Sequence, residues 1–477
     1  MSLPAPTRRW VTRASAVGIT AVALGAGLQF TVSALAAPAA RTSSTANPYS
    51  PAYHHPYRHG AVPTRGALAR MRAWSRSHPG AIHPASTADL NFGGGIDGIG
   101  VTTGPERVYL VFYGSQWGTQ GTDANGNVTL SGDSKGMAPY IQQLMKGLGT
   151  GGELWSGVMT QYCQGITTGS QTCPSGNTQH VGYPTGGALA GVWVDERVAS
   201  PSQATAFQLG TEAVSAAAHF GNTTAASNRD AQYVILSPTG THPDGFNTPT
   251  GNFCAWHDWN GDAYVGVTSP YGDIAFTNMP YVTDMGTSCG QNFVNGGTAG
   301  NLDGVSIVEG HEYAETITDQ NPAGGWTDST GAENGDKCAW NSGPGAHAAD
   351  LGLTTGTFAM QSTWGNDGSG GAGACEFTHA IVTNGSGSGN TVTVSNPGSQ
   401  TTNRRTAVSL QMTATDSASG QTFTWSATGL PPGLSISSST GLISGTTGRH
   451  TGTYSVTVTA TDTTGASGST SFTWTIN

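Results

Sequence analysis

The run Asn384-Gly385-Ser386-Gly387-Ser388-Gly389-Asn390 divides this chain into two stretches with different patterning. A segment of that composition behaves as a flexible linker, so the two sides are expected to bury separate cores. Beyond it there is no cysteine, and Ser and Thr are abundant. Leu410, Met412 and Ala414 alternate with Gln411 and Thr413. Phe423, Trp425 and Ala427 alternate with Thr424 and Ser426, and Tyr454, Val456, Val458 and Ala460 with Ser455, Thr457 and Thr459. Side chains two apart share one face of a strand, so this alternation predicts half-buried strands. Several of them at short turn spacing predict an all-β sandwich over residues 391–477, after a linker at 384–390.

The upstream side follows another rule. Glycine, at 71 of 477 residues, is about twice its ordinary usage and implies tight turns and ordered loops rather than helical bundles. Val108–Tyr113, Ala190–Val194 and Tyr233–Leu236 are apolar runs of buried-strand type. Met137, Ile141, Leu144, Met145 and Leu148 have helical spacing. Gln203–Phe220 reads as a second helix, opened by the turn at Ser200-Pro201-Ser202. Residues 89–383 are therefore expected to form an α+β domain, a mixed sheet with helices packed on it.

The first residues read as an export signal. Arg8, Arg9 and Arg13 precede the uncharged apolar run Ala14–Leu35, and Ser33-Ala34-Leu35-Ala36-Ala37 offers small residues for cleavage, giving a signal peptide over 1–37. Residues 38–88 are rich in Pro, His, Ser and Arg with little periodicity, and read as a basic leader or pro-region. Nine of the 18 basic residues, from Arg8 to Arg76, precede the first acidic residue, Asp89. The remainder has nine basic against 28 acidic residues, a balance of −19. So acidic a body repels nucleic acid and anionic membranes and suits cations. The basic stretch is either a pro-segment screening an acidic site or a leader without that role.

Six cysteines, Cys163, Cys173, Cys254, Cys289, Cys338 and Cys375, show no C-x-x-C spacing. In an exported chain an even count points to disulfides. Pairing each with its neighbour closes short loops and is the expected connectivity.

The candidate chemistry lies in Asn301–Asp319. Taken as a helix, one side gathers Leu302, Ile307, Tyr313, Ala314 and Ile317, and the other His311, Glu312, Glu315 and Asp319. His311 and Glu315 are one turn apart and can close on one ion, as the two histidines of H-E-x-x-H do. The alternative is a solvated acidic face. No Lys or Arg occurs between Arg229 and Lys337, so these carboxylates lack a local cation, and crowded carboxylates raise one another's pKa unless one is supplied. In the following Gly331–Cys338 stretch, Glu333 is placed to be a third ligand and Asp336 to support the ligands from behind. His257 is the rival third ligand, or else a structural histidine beside Cys254. Glu312 would be the general base toward a metal-bound water. Glu315 in place of a second histidine weakens zinc's Lewis acidity and admits harder ions such as calcium.

Two weaker signals remain. Gly132-Asp133-Ser134-Lys135-Gly136 has the spacing of a nucleophile elbow, but a half-polar segment precedes it and a surface turn is expected. Asp258, Asn260 and Asp262 echo a calcium loop, with Ala263 where the turn glycine belongs.

Tyr109–Gly114, Tyr233–Leu236, Asn252-Phe253-Cys254 with His257, and His311 through Cys338 together resemble the EXORDIUM-like, phosphate-induced protein family. The resemblance implies a secreted protein and, through the HExxE pattern, a bacterial branch with a metallopeptidase-like fold and site. Gly429–Ile436 with Thr440–Gly445 resembles immunoglobulin-like modules of bacterial surface and secreted proteins, which act as spacers or binding appendages. The expectation is a secreted, zinc-dependent peptidase-like hydrolase acting on peptide or protein. The competing one is a non-catalytic extracellular or cell-wall-associated protein, with a structural metal or none, whose Ig-like module meets a polysaccharide surface. Nucleic acid, and membrane after signal cleavage, are not expected partners.

Overall fold

The computed structural model describes residues 46–78, 89–174, 176–342, 347–383, 392–416, 422–462 and 467–477. The expected signal peptide and the linker at 384–390 lie outside the described residues.

A six-stranded sheet organises the first part. Its strands are β1 (His59–Pro63), β2 (Arg107–Tyr113), β3 (Leu189–Asp195), β4 (Ala231–Leu236), β5 (Phe253–Trp259) and β6 (Ala275–Met279), in the order β1-β5-β6-β4-β2-β3. The β6-β4-β2-β3 block is parallel, whereas β5 runs antiparallel to β6 and β1 antiparallel to β5. Parallel strands covered on both faces need near-continuous apolar runs. Val108–Tyr113 and Ala231–Leu236 are such runs, and both are buried along their length. Tyr109 pairs with Tyr233 in register, and their rings stack at 5.1 Å.

Helix α1 (Arg65–Ser77) follows β1, α2 (Met137–Gly147) follows β2 and α3 (Ala206–His219) follows β3. Helix α3 begins three residues later than its spacing suggests. Thr205 and Gln208 form a reciprocal capping box there, and that fixes the start.

The sequence pattern missed β1 and α1. The segment read as an aperiodic leader is folded over its described part: β1 is an edge strand of the central sheet, and α1 buries Ala67, Leu68 and Met71. Their spacing marks a helix face, but arginines at 65, 70, 72 and 76 dominate the composition and mask it. Thr64 caps the helix by accepting from Ala67 N–H at 3.1 Å.

Helix α4 (Asp303–Thr318) is the expected motif helix, with one difference: every residue in it is buried. It packs against β5, β1, α2 and the hairpin of β7 (Ala349–Leu353) and β8 (Gly356–Met360). The solvated acidic face is thereby excluded.

Disulfides join Cys163 to Cys173, Cys254 to Cys289 and Cys338 to Cys375, each to its neighbour in sequence. The second ties β5 to the turn segment Val282–Cys289, and the third anchors the Asp336–Cys338 turn.

The C-terminal part forms its own β structure: β9 (Val392–Val394), β10 (Gln400–Thr402), β11 (Ala407–Gln411), β12 (Ala414–Asp416), β13 (Phe423–Thr428), β14 (Leu434–Ile436), β15 (Leu442–Thr446), β16 (Gly452–Asp462) and β17 (Ser467–Ile476). They make sheets ordered β10-β17-β16-β13 and β11-β15-β14, with β9 on β12. Alternation works as expected: Val456, Val458 and Ala460 point inward and pack with Trp425, Ile443, Phe472 and Trp474 in a core separate from that of the first part.

Candidate metal centre

Three elements converge on one buried cluster. Helix α4 contributes His311, Glu312 and Glu315, strand β5 contributes His257, and the loop after α4 contributes Glu333 and, at the rim with its side chain 22% exposed, Asp336. Glu315 is at the centre. Its Oε2 lies 3.0 Å from His311 Nε2 and 3.8 Å from His257 Nδ1, while Oε1 accepts from Asp336 N–H at 2.7 Å. Glu312 Oε2 lies 3.2 Å from the same His257 nitrogen. Asp336 Oδ1 is 3.8 Å from His311 Nε2.

Two sets of ligand atoms are each compact enough for an ion. The atoms of His257, Glu312 and Glu315 lie within 4.8 Å of one another, and so do those of His311, Glu315 and Asp336. Glu312 Oε1, Glu315 Oε2, Glu333 Oε2 and His257 Nε2 have no hydrogen-bond partner. Burying several polar atoms without partners is costly, and a cation among them removes that cost. Imidazole nitrogens with carboxylate oxygens form a donor set that suits zinc.

The expected roles redistribute. Glu333 sits behind His257, with Oε2 3.5 Å from Nε2, the nitrogen facing away from Glu315. From there it fits an orienting partner better than a third ligand. His257 and Asp336 belong to the two compact sets of possible ligand atoms, and Glu333 to neither. Asp319 takes no part: its carboxylate accepts from the N–H groups of Ala323 and Gly325 and closes the turn after α4.

Sequence reasoning missed Gln361 and Gly60. Gln361, just after β8, places Oε1 3.2 Å from His311 Nδ1 and donates to Gly335 O at 2.9 Å, which orients the imidazole. Gly60 O on β1 lies 3.2 Å from His311 Nε2. Neither has a spacing signal, because both reach His311 from distant segments of chain. Gly60 and Gly335 close the cluster from two sides. A Cβ on Gly335 would lie 2.9 Å from His311 and Glu315, and one on Gly60 only 2.0 Å from Glu315 Oε2. Gly60 also adopts φ +49°, which disfavours other residues.

Electrostatics follow from burial. Desolvation first, then neighbouring carboxylates, pushes Glu312 and Glu333 well above the ordinary range; for Glu315 desolvation dominates. Burial and then Glu315 raise Asp336 to about 8. Burial lowers His257 and His311, keeping both imidazoles neutral and their nitrogens available to a metal. Lys337, beside Asp336 in sequence, turns away to Asp328 at 3.7 Å and the Trp364 ring at 4.1 Å. Among the described residues, the ion pairs of these four carboxylates are with histidines alone.

The weaker signals resolve simply. Ser134 is exposed, and Asp133 accepts from Met137 and Ala138 N–H groups at the start of α2, making the segment a helix-capping turn. Asn260 donates to Val267 O and accepts from Ile274 N–H, so its side chain serves the local turn. Asp258 and Asp262 approach His59 instead.

Residues 390–477 match the family model described as "Putative Ig domain". This Ig domain covers the C-terminal β structure and supports an extracellular appendage. Among solved structures, one described as a "putative alpha-galactosidase/melibiase" from Bacteroides fragilis is 21% identical over 19% of this chain and 18% of that one, with a TM-score of 0.17. Drosophila N-cadherin EC1-3 is 16% identical over 26% and 38%, also at 0.17. The chain spans less than two fifths of either, and likenesses of this size carry no argument. No curated protein matches the chain. No helix among the described residues is long and apolar enough to cross a membrane.

Proposed function

We propose that the first part of this chain is a metal-dependent hydrolase of peptidase type, with zinc as the ion and the Ig domain as an extracellular appendage. The observation that carries it is Glu315 Oε2, buried and without a hydrogen-bond partner, set between His311 Nε2 and His257 Nδ1. His311, Glu315 and His257, with Asp336 beside them, would hold the ion. A bound zinc supplies Lewis acidity and lowers the pKa of its water. Glu312, whose Oε1 is free and whose Oε2 faces His257, is placed to take that water's proton. Glu333 and Gln361 hold the two imidazoles in orientation.

The EXORDIUM-like kinship of residues 89–383 and secretion belong to the same proposal. Two of the quoted motifs lie on the central strands β2 and β4, and two others supply the cluster from β5 and α4. A second reading, an extracellular protein with a structural metal, is favoured by one observation: His257, His311, Glu312 and Glu315 are all 0% exposed.

Casein digestion by zinc-loaded protein separates the two readings. Wild type should cleave, and Glu312→Gln should bind zinc but lose at least 100-fold in rate. Cleavage unaffected by Glu312→Gln rejects the mechanism, and zinc binding without cleavage in wild type favours the structural role.

A further inference from the structure

Strand β1 does more than extend the sheet. It lies antiparallel along the outer edge of β5, with Val62 opposite Ala255 and His59 opposite His257. The pairing is irregular between His59 and Val62, and Gly60 adopts φ +49° within it. The Gly60 carbonyl there lies 3.2 Å from His311 Nε2. The strand thus lies directly against His311, and Gly60 leaves no room for a Cβ beside Glu315 and His257.

The strand is fastened outside the cluster at each end. Arg58 donates through Nε to the Asp244 carboxylate at 2.7 Å and through Nη2 to the Asp244 backbone carbonyl at 2.7 Å, and Tyr57 OH donates to that carboxylate. At the other end Trp340 Nε1 donates to Pro63 O at 2.6 Å, and Thr64 N–H to Asn252 O.

We propose that the outer edge of β5 is the groove for an extended peptide substrate, and that His59–Pro63 lies in it as a displaceable intramolecular strand that slows turnover in the wild type without abolishing it. The proposal rests on the hydrolase reading. Main-chain pairing to a sheet edge gives affinity, and side-chain space gives selectivity. At the residue that presents its carbonyl, a Cβ would meet Glu315 at 2.0 Å and His257 at 2.5 Å. The groove therefore selects glycine there, with a small apolar residue two positions on, where Val62 is buried.

The probe is a fluorescein-labelled peptide of residues 57–64, with a control peptide carrying valine for the glycine. Binding is measured on full-length, metal-free protein in a Glu312→Gln background, so that docking is read without turnover. Arg58→Ala, which loosens one anchor, and Gly60→Val, which evicts the strand, should each bind the peptide at least tenfold more tightly than the Glu312→Gln parent and not bind the control. Folded variants that bind no better than that parent overturn the groove. Peptide docking alongside absent zinc binding sustains the groove and rejects the hydrolase reading. Should both variants unfold, hydrogen exchange on unaltered protein decides. The amides of β1 should exchange at least tenfold faster than those of β4, and equal protection makes β1 a permanent strand and ends the proposal.

Discussion

At the scale of single residues, the cluster depends on Glu315. It touches both histidines and takes the Asp336 N–H, so one side chain coordinates three chain segments. Replacing it removes a ligand, whereas replacing Glu333 removes an orienting contact. We expect Glu315→Ala to weaken zinc binding more than 100-fold and Glu333→Gln by about tenfold, read by calorimetric titration; equal losses would put Glu333 in the ligand set. A second buried carboxyl gives a cleaner pH signature. Burial and then Asp230 raise Glu106 to about 8. From pH 4.5 to 8 the unfolded chain loses this proton while the folded chain keeps it, so stability falls as pH rises through that window and levels off above it. Glu106→Gln cannot ionise, and its advantage over wild type should grow from pH 5 to pH 8, to on the order of 2–4 kcal/mol. Urea unfolding at the two pH values tests this, and a constant difference would count against it.

At the scale of elements, the Cys338–Cys375 disulfide holds the loop that carries Glu333 and Asp336. It spans 37 residues, and a closure of that length restricts the unfolded chain by about 4 kcal/mol. Cys338→Ser with Cys375→Ser should lower stability by roughly that amount and weaken metal binding, since the loop supplies Asp336. Unchanged zinc affinity in the folded double variant would show that the loop is positioned without the bridge.

Much at this scale was legible in the sequence, for physical reasons. Val108–Tyr113 and Tyr233–Leu236 are apolar enough to be read as buried strands, and His311 with Glu315 one turn apart could be read from helical period alone. The contribution of β1 could not be read. Five residues beside many arginines carry no period, and the contact between Gly60 and His311 depends on the tertiary fold. Nor could spacing say whether Glu333 or His257 faces the ion, because that depends on which imidazole nitrogen points inward.

At the scale of the whole molecule, two apolar cores are separate, one around the central sheet and one in the Ig domain. Damage to one should leave the other's function in place. Trp474→Ala, deep in the Ig core at 1% exposure, should cost about 3–5 kcal/mol of that unit's stability and leave zinc affinity unchanged. Calorimetry with and without zinc reads both effects, and loss of metal binding in this variant would show that the units are not independent.

The central claim is that the buried carboxylates of α4 and its following loop are assembled around a divalent ion. Zinc titration of chelator-stripped protein, with proton release recorded in parallel, tests it most directly. The account predicts one tightly bound zinc per chain, with protons expelled as the raised carboxyl groups ionise, and loss of that binding in His311→Ala. Absence of stoichiometric binding, or binding that survives His311→Ala, contradicts it.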